Sequence, residues 1–536
     1  MKKIILPILL SGCLALMSGC TNGFEEMNTT TTALTKSQVL PNSLLVRSIW
    51  KGVSADYQRN YNLYDDQYAH YFSNCIASFA TGYYEYNDGW AQCGWQAFYT
   101  ERQKEYLDIK DICGTTEMYT NLLAMNEIWN VILWLRVTDR WGDVPYKDAN
   151  GYYATANASP IAYNSQKDIY LDMMSRLDKA ASSITTSSQF DPGTDDMVYG
   201  GNSNIGKWKK LAYSVMLRMA IRIANVDPAD AKNYAAKAVS GGTMTSIDDD
   251  ARVKCDVSRW EDYYDRLSGD WANTTTDKEF LEFMAGTKTG YETNTVDPRR
   301  SMWFSPGTKG YIGFPNGITS SNSAYTGFLW SDYAEINERN ETGFFYYNRD
   351  EISKSHLSYP VMDYSEVCFL KAEAALRGYI AGNAESYYKD GITASVNSVA
   401  KVSGVSTVQD ADITNYINSL PPFTGGNEAK LRLVCIQEWI ALYPNAQEGW
   451  SILRRSGYPE GLTCPTASSS ALVNDGNWIQ RIAYPNNEYE NNNKNIPSAF
   501  QSNSSNYAKR EQYGIWWSLA GDGKTYAKGT APANNF

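Results

Sequence analysis

KWKKLAYSVMLRMAIRIANVDPADAKNYAAKAVSGG, residues 207–242, reads as two helices and the turn between them. Ala212, Val215, Met216, Met219, Ala220 and Ile223 recur at the i, i+3, i+4 spacing that lines one stripe of a packed helix. The second helix has a marked start and stop. Asp227 can cap it, and Pro228 suits the first helical position, where a missing N–H costs nothing. Gly241-Gly242 then ends the run. Pairs of this kind stack in tetratricopeptide arrays. The repeat signature itself is poor, since Trp208, Leu211 and Ala212 match the first-helix pattern but Val215 stands at the Tyr position.

Working outward, the same periodicity returns in NLLAMNEIWNVILWLRVTDRW (121–141). Its apolar set is Leu122, Met125, Trp129, Ile132 and Leu133, with Arg136 and Asp139 beyond it. Further helices fit residues 165–184, 363–382, 384–404 and 428–443. Between them, residues 60–100, 287–350 and 458–500 are long irregular stretches rich in Gly, Pro, Asn, Ser and aromatics. Loops of this length in a folded domain are functional or disordered, and the aromatic content argues against disorder. GYYEYNDGWAQCGW (82–95) is the densest, with five rings among Gly, Asn, Asp and Glu. A sugar offers flat C–H faces and a rim of hydroxyls, so exposed rings beside amides and carboxylates would suit it. The stretch predicts Tyr84, Tyr86 and Trp90 on display, Asn87 and Asp88 bonding hydroxyls, and Trp95 as a core anchor.

The N-terminus predicts export. Lys2 and Lys3 precede an apolar run too short to span a bilayer comfortably, and it closes on MSGC. A small-small-Cys ending marks a lipoprotein signal. LSGC, ending at Cys13, also fits the pattern, but cleavage there leaves too short an apolar segment. Residues 1–19 are therefore the expected signal peptide and Cys20 the expected lipidation site. The polar, Thr-rich residues 20–39 form a tether, and 40–536 the folded part. Several acyl chains give a durable membrane anchor where one does not.

Composition excludes several chemistries. The net charge is −11 with no basic block, which speaks against nucleic acid as a partner. Tyr outnumbers Phe by 40 to 16, favouring rings with one wet end. His70 and His356 are the two histidines, leaving little room for His-rich zinc sites or a Ser-His-Asp nucleophile. No phosphate-binding glycine loop opens a helix, and no cofactor or metal site is expected. The acidic run 248–250 lacks EF-hand spacing and reads as a solvated loop. Cys368 and Cys435 lie in apolar helical runs and are expected to be core thiols. A carboxylate pair for glycoside hydrolysis has no fixed spacing and stays open as an alternative.

Six segments in order resemble the SusD/RagB family of nutrient-binding outer-membrane lipoproteins of Bacteroidetes. They are TNGFEEMN after Cys20, TDRWGDVPYKDA (138–149), DPRRSMWF (297–304) with GYIGFPNG (310–317), YPVMDYSEVCFLKAEAALRGY (359–379), the segment 428–459 ending in WSILRRSGYP, and RIAYPNNEYENN (481–492), the last as a strand. TTTT replaces the family's usual Asn-Pro after the tether, and NAQEGWSILRR departs from its usual wording. The resemblance implies a mainly α, SusD-like single domain. Four tetratricopeptide-type helical pairs would form the scaffold, and irregular loops with small strands the ligand face. It places part of that face at 82–95 and part at Tyr291, Trp303, Tyr325 and Trp330, and it makes Trp450, Arg454 and Arg455 scaffold. It further implies a binding protein without catalysis, displayed on the cell exterior, with Glu25 and Glu26 fitting the export signal. The partner would be a SusC-like TonB-dependent transporter and the cargo an oligosaccharide, with peptide capture as the alternative.

Overall fold

In chain order the longer helices are α1 (Pro41–Val53), α2 (Asp88–Ala97), α3 (Gln103–Cys113), α4 (Thr120–Trp141), α5 (Gln166–Ser183), α6 (Ile205–Arg222) and α7 (Pro228–Gly241). They continue as α8 (Lys278–Ala285), α9 (Tyr364–Leu376), α10 (Ala384–Ser403), α11 (Asp410–Ser419), α12 (Asn427–Leu442) and α13 (Ala446–Ser456). The structure is a computed structural model. It describes residues 38–53, 56–74, 80–149, 161–187, 189–254, 274–304, 306, 310–311, 313–317, 358–404, 408–526 and 532–536. Cys20, Glu25, Glu26, Cys75, Cys255, Tyr325, Trp330 and His356 lie outside the described residues.

Four packed helical pairs make the scaffold: α4 with α5, α6 with α7, α9 with α10, and α12 with α13. α5 packs on α6, α6 on α9, and α9 on α12, so each pair stacks on the next. The fold is mainly α, of the tetratricopeptide type. Among the described residues there are three small antiparallel strand pairs. They are β1 (Phe72–Asn74) with β5 (Thr274–Thr276), β2 (Val144–Pro145) with β3 (Tyr163–Asn164), and β4 (Ala251–Lys254) with β6 (Ser358–Met362). No helix among them is long and apolar enough to cross a membrane.

The helix ends follow the local chemistry. Asp227 accepts from the Asp230 N–H and Pro228 opens α7, while Gly242 closes it at φ +100°. Gly142, at φ +80°, donates its N–H to the Thr138 carbonyl at 2.7 Å and turns the chain after α4. That positive φ suits glycine because it has no Cβ to clash.

Charge, as well as apolar surface, ties the pairs together. α4 is enclosed on all sides, so Arg136, Asp139 and Arg140 are as buried as its apolar stripe. Arg222 of α6 bonds both Asp139 of α4 and Glu448 of α13. Arg218 bonds Glu366 of α9 at 2.5 Å. Arg455 of α13 reaches Glu373 of α9 at 2.7 Å and Glu438 of α12 at 2.9 Å. Burying a charge costs several kcal/mol unless it is paired and hydrogen-bonded, so these bridges satisfy groups the stack would otherwise strand. Burial works against the Glu448 carboxylate, yet Arg218 and Arg222 hold it down at about 2.

Two local expectations are corrected. Residues 481–485 form no strand; they run irregularly into a short helix, Asn486–Asn491. Their backbone N–H groups bond the Glu511 and Arg140 carbonyls and the Glu511 side chain, not a neighbouring strand. The acidic run 248–250 is solvated only at Asp248. Asp249 is buried and bonded to Lys210, and Asp250 caps toward Tyr364 and Ser398. Cys368 and Cys435 are buried free thiols.

Candidate functional site

The stretch 82–95 folds as a turn feeding α2. Tyr84 sits at φ +63°, a left-handed position that turns its side chain inward. Its ring is 2 % exposed and meets Tyr68 at 5.9 Å, and Tyr68 meets Trp450 at 5.2 Å. Tyr84 is therefore packing and not display, contrary to the expectation. Burial drives its phenol well above the usual tyrosine range.

Tyr86 and Trp90 are half-buried, packed on the core from one side. The Tyr86 hydroxyl donates to Asp88 Oδ1 at 2.9 Å and to the Tyr484 carbonyl at 3.3 Å. Asn87 caps α2, its Oδ1 accepting from the Trp90 N–H at 3.2 Å, and its carbonyl accepts from Tyr64. Asp88 Oδ1 also accepts from the Asn486 N–H at 2.8 Å. Half of each polar side chain thus holds the turn in place. The Asn87 side-chain N–H groups and Asp88 Oδ2 stay outside these bonds. Trp95 is a core ring, 6 % exposed and 5.3 Å from Trp141.

The second group of expected ligand rings is corrected where it is described. Tyr291 is 1 % exposed; it packs on Phe283 at 5.6 Å, and its hydroxyl accepts from Gln437 at 2.9 Å. Trp303 is 3 % exposed and lies 4.8 Å from Tyr443. Both fill the junction between α8 and α12, because a large ring gains most where it leaves water completely.

A cavity of 440 Å³ opens beside Tyr68, the ring on which Tyr84 packs. Trp450, Arg454, Tyr458, Trp478 and Tyr526 line it too. Sequence reasoning missed it, since its walls come from α13, from the irregular stretch after it and from the chain end. No local signal marks it: residues 450–480 hold only Trp450, Tyr458 and Trp478 as aromatic rings, spread over three segments.

Two buried clusters have metal-ligand composition. His70 Nδ1 lies 3.7 Å from both Asp277 Oδ2 and Glu279 Oε2. Lys288 bonds Glu279 at 2.6 Å and Ser73 donates to Asp277 at 3.0 Å, so the two carboxylates already have a cation and a donor. In the second cluster, Glu373, Cys435 and Glu438, both carboxylates are bridged by Arg455. Burial pushes the Cys435 thiol up, away from the thiolate a metal would need.

Similar proteins agree with this architecture. No curated protein matches the chain. A chitin-binding protein of known structure is 25% identical, covering 90% of this chain and 100% of its own, with a TM-score of 0.73. A SusD homologue from Bacteroides vulgatus ATCC 8482 is 22% identical over 92% of this chain and 98% of its own, with a TM-score of 0.71. A SusD-like protein from Bacteroides thetaiotaomicron VPI-5482 is 24% identical over 91% and 100%, with a TM-score of 0.69. With residues 23–518 matched to the family described as "SusD-like: Susd and RagB outer membrane lipoprotein", the stacked helical pairs and the sequence converge, and the chain belongs to that family.

Proposed function

We propose that this protein is a surface glycan-binding lipoprotein that captures oligosaccharide and delivers it to a SusC-like TonB-dependent transporter. In this reading residues 1–19 are removed, Cys20 carries the lipid, 20–39 tether the chain and 40–536 form the nutrient-binding domain facing the cell exterior. The observation that carries the glycan reading is the rim at the start of α2. There the half-buried rings of Tyr86 and Trp90 stand beside the side chains of Asn87 and Asp88. Rings supply a face for the C–H side of a sugar, and the remaining amide and carboxylate atoms pair with hydroxyls. The likeness to a chitin-binding protein supports the same class of ligand. The role is capture, with no turnover of the bound glycan.

The test is calorimetry of the purified chain against neutral oligosaccharides, chitin fragments first. Trp90→Ala is expected to weaken binding about tenfold, the effect of losing one interface anchor worth ~1.4 kcal/mol. Unchanged affinity for a glycan that the wild type binds would remove Trp90 from the site. Glycan turnover by pure protein, abolished by one Asp or Glu substitution, would replace capture with hydrolysis.

A further inference from the structure

Arg454 differs from the arginines that bridge the helical pairs. It is 1 % exposed, yet its hydrogen bonds go only to neutral atoms: the Asp139 carbonyl at 2.6 Å, the Gln480 carbonyl at 3.1 Å and Ser451 Oγ at 3.2 Å. Its guanidinium carbon lies over Trp450, 3.6 Å from the ring centre, and 4.7 Å from that of Trp517. Nε is buried with no partner. Arg218, Arg222, Arg299 and Arg455 each contact a carboxylate directly. Burial pushes Arg454 down to about 9, with the nearby Asp139 and Asp65 only partly offsetting the effect.

This residue lines the 440 Å³ cavity and is the one cation among its described lining residues. Gln480, also 1 % exposed, lines the same cavity and leaves its Oε1 unpartnered. The two acids in the lining are already engaged. Glu428 accepts from the Tyr458 hydroxyl at 2.6 Å and from Asn534 at 2.9 Å, and Glu460 pairs with Arg432. Trp450, Trp478 and Tyr68 supply ring walls. The volume falls within the ~300–1,000 Å³ typical of small-molecule sites.

We propose that this cavity is a second binding site, separate from the rim at α2, for a small carboxylate-bearing ligand whose anionic group is received by Arg454. Inside a low-dielectric cavity the ligand's carboxylate supplies the directly bonded counter-charge that Asp139 and Asp65, acting from a distance, only partly provide. The Trp and Tyr walls hold its flat body. A uronic acid residue and a peptide-type carboxylate share this chemistry.

The experiment compares pairs of nearly equal shape that differ in charge: D-glucuronate against D-glucuronamide, and N-acetylglycine against its amide. Calorimetry is run on the wild-type chain and on Gln480→Glu. At least one acid is expected to bind, with its neutral counterpart about tenfold weaker or worse, since charge-assisted bonds are roughly twice as strong as neutral ones. Which acid binds identifies the source. Gln480→Glu puts a carboxylate into the cavity lining, where it repels the ligand's carboxylate, so it is expected to abolish binding of the acid. This variant is preferred to Arg454→Ala, which would strip packing from Trp450 and confuse folding with binding. Absence of binding by both acids, equal binding of acid and neutral counterpart, or acid binding that survives Gln480→Glu each overturns the proposal. Because the rim is tested with neutral glycans and Trp90→Ala, either site can fail without the other.

Discussion

Trp303→Ala separates packing from display at a position where sequence and structure disagree. The ring is 3 % exposed, and its neighbours are Tyr443 at 4.8 Å, Phe304 at 6.3 Å and Phe280 at 6.4 Å. Phe280 and Tyr443 in turn stack at 4.9 Å, so removing the indole opens a hole walled by rigid rings that cannot collapse into it. Truncating a buried Trp costs about 3–5 kcal/mol, and the stiff surroundings place this site toward the upper half, ~4 kcal/mol. The melting shift will be small. With roughly 2.1 cal/mol/K per residue over about 500 residues, the unfolding entropy is ~1 kcal/mol/K, and ~4 kcal/mol lowers the midpoint by only ~4 °C. Urea unfolding followed by Trp fluorescence is therefore the better assay. Trp90→Ala in parallel should cost less than ~2 kcal/mol, because only part of that ring is withdrawn from water. A Trp303→Ala protein as stable as wild type but unable to bind glycan would refute the burial reasoning and return this ring to the ligand face.

Two further outcomes follow from charge and from the anchor. Burial raises the Glu511 carboxyl from 4.5 to about 7, above its unfolded value, so its contribution to stability is fully present below pH 4.5 and is lost as pH rises through 7. Glu511→Gln keeps the acceptor for the Ala483 N–H and removes the titration. It should flatten the decline in stability between pH 4.5 and 7.5 by up to ~3 kcal/mol, measured by urea midpoints across that range; an unchanged slope would contradict it. Cys20→Ala should release the protein from the membrane fraction without acylation. Acylation persisting at Cys13 would move the anchor.

The helices were legible from sequence because their causes are local. The stripe from Ala212 to Ile223, the Asp227-Pro228 start and the Gly142 stop each act within a few residues, and the structure places helix ends at them. Part of the motif order carried the family for a related reason, since TDRWGDVPYKDA and the segment ending in WSILRRSGYP lie where helices end. Display was different. Tyr84, Tyr86 and Trp90 lie within seven positions of one another, yet only the latter two keep one side toward water. Composition could not separate them, because burial depends on what the rest of the chain brings: Tyr68 and Trp450 for Tyr84, Tyr443 for Trp303, Gln437 for Tyr291. The same holds for charge. Arg454 and Arg455 are adjacent in sequence and on one helix, but only Arg455 meets carboxylates, from two other helices. Arg454 is left facing rings, carbonyls and a cavity, because hydrophobic stacking decides which helices meet and each side chain receives the neighbours that this packing delivers.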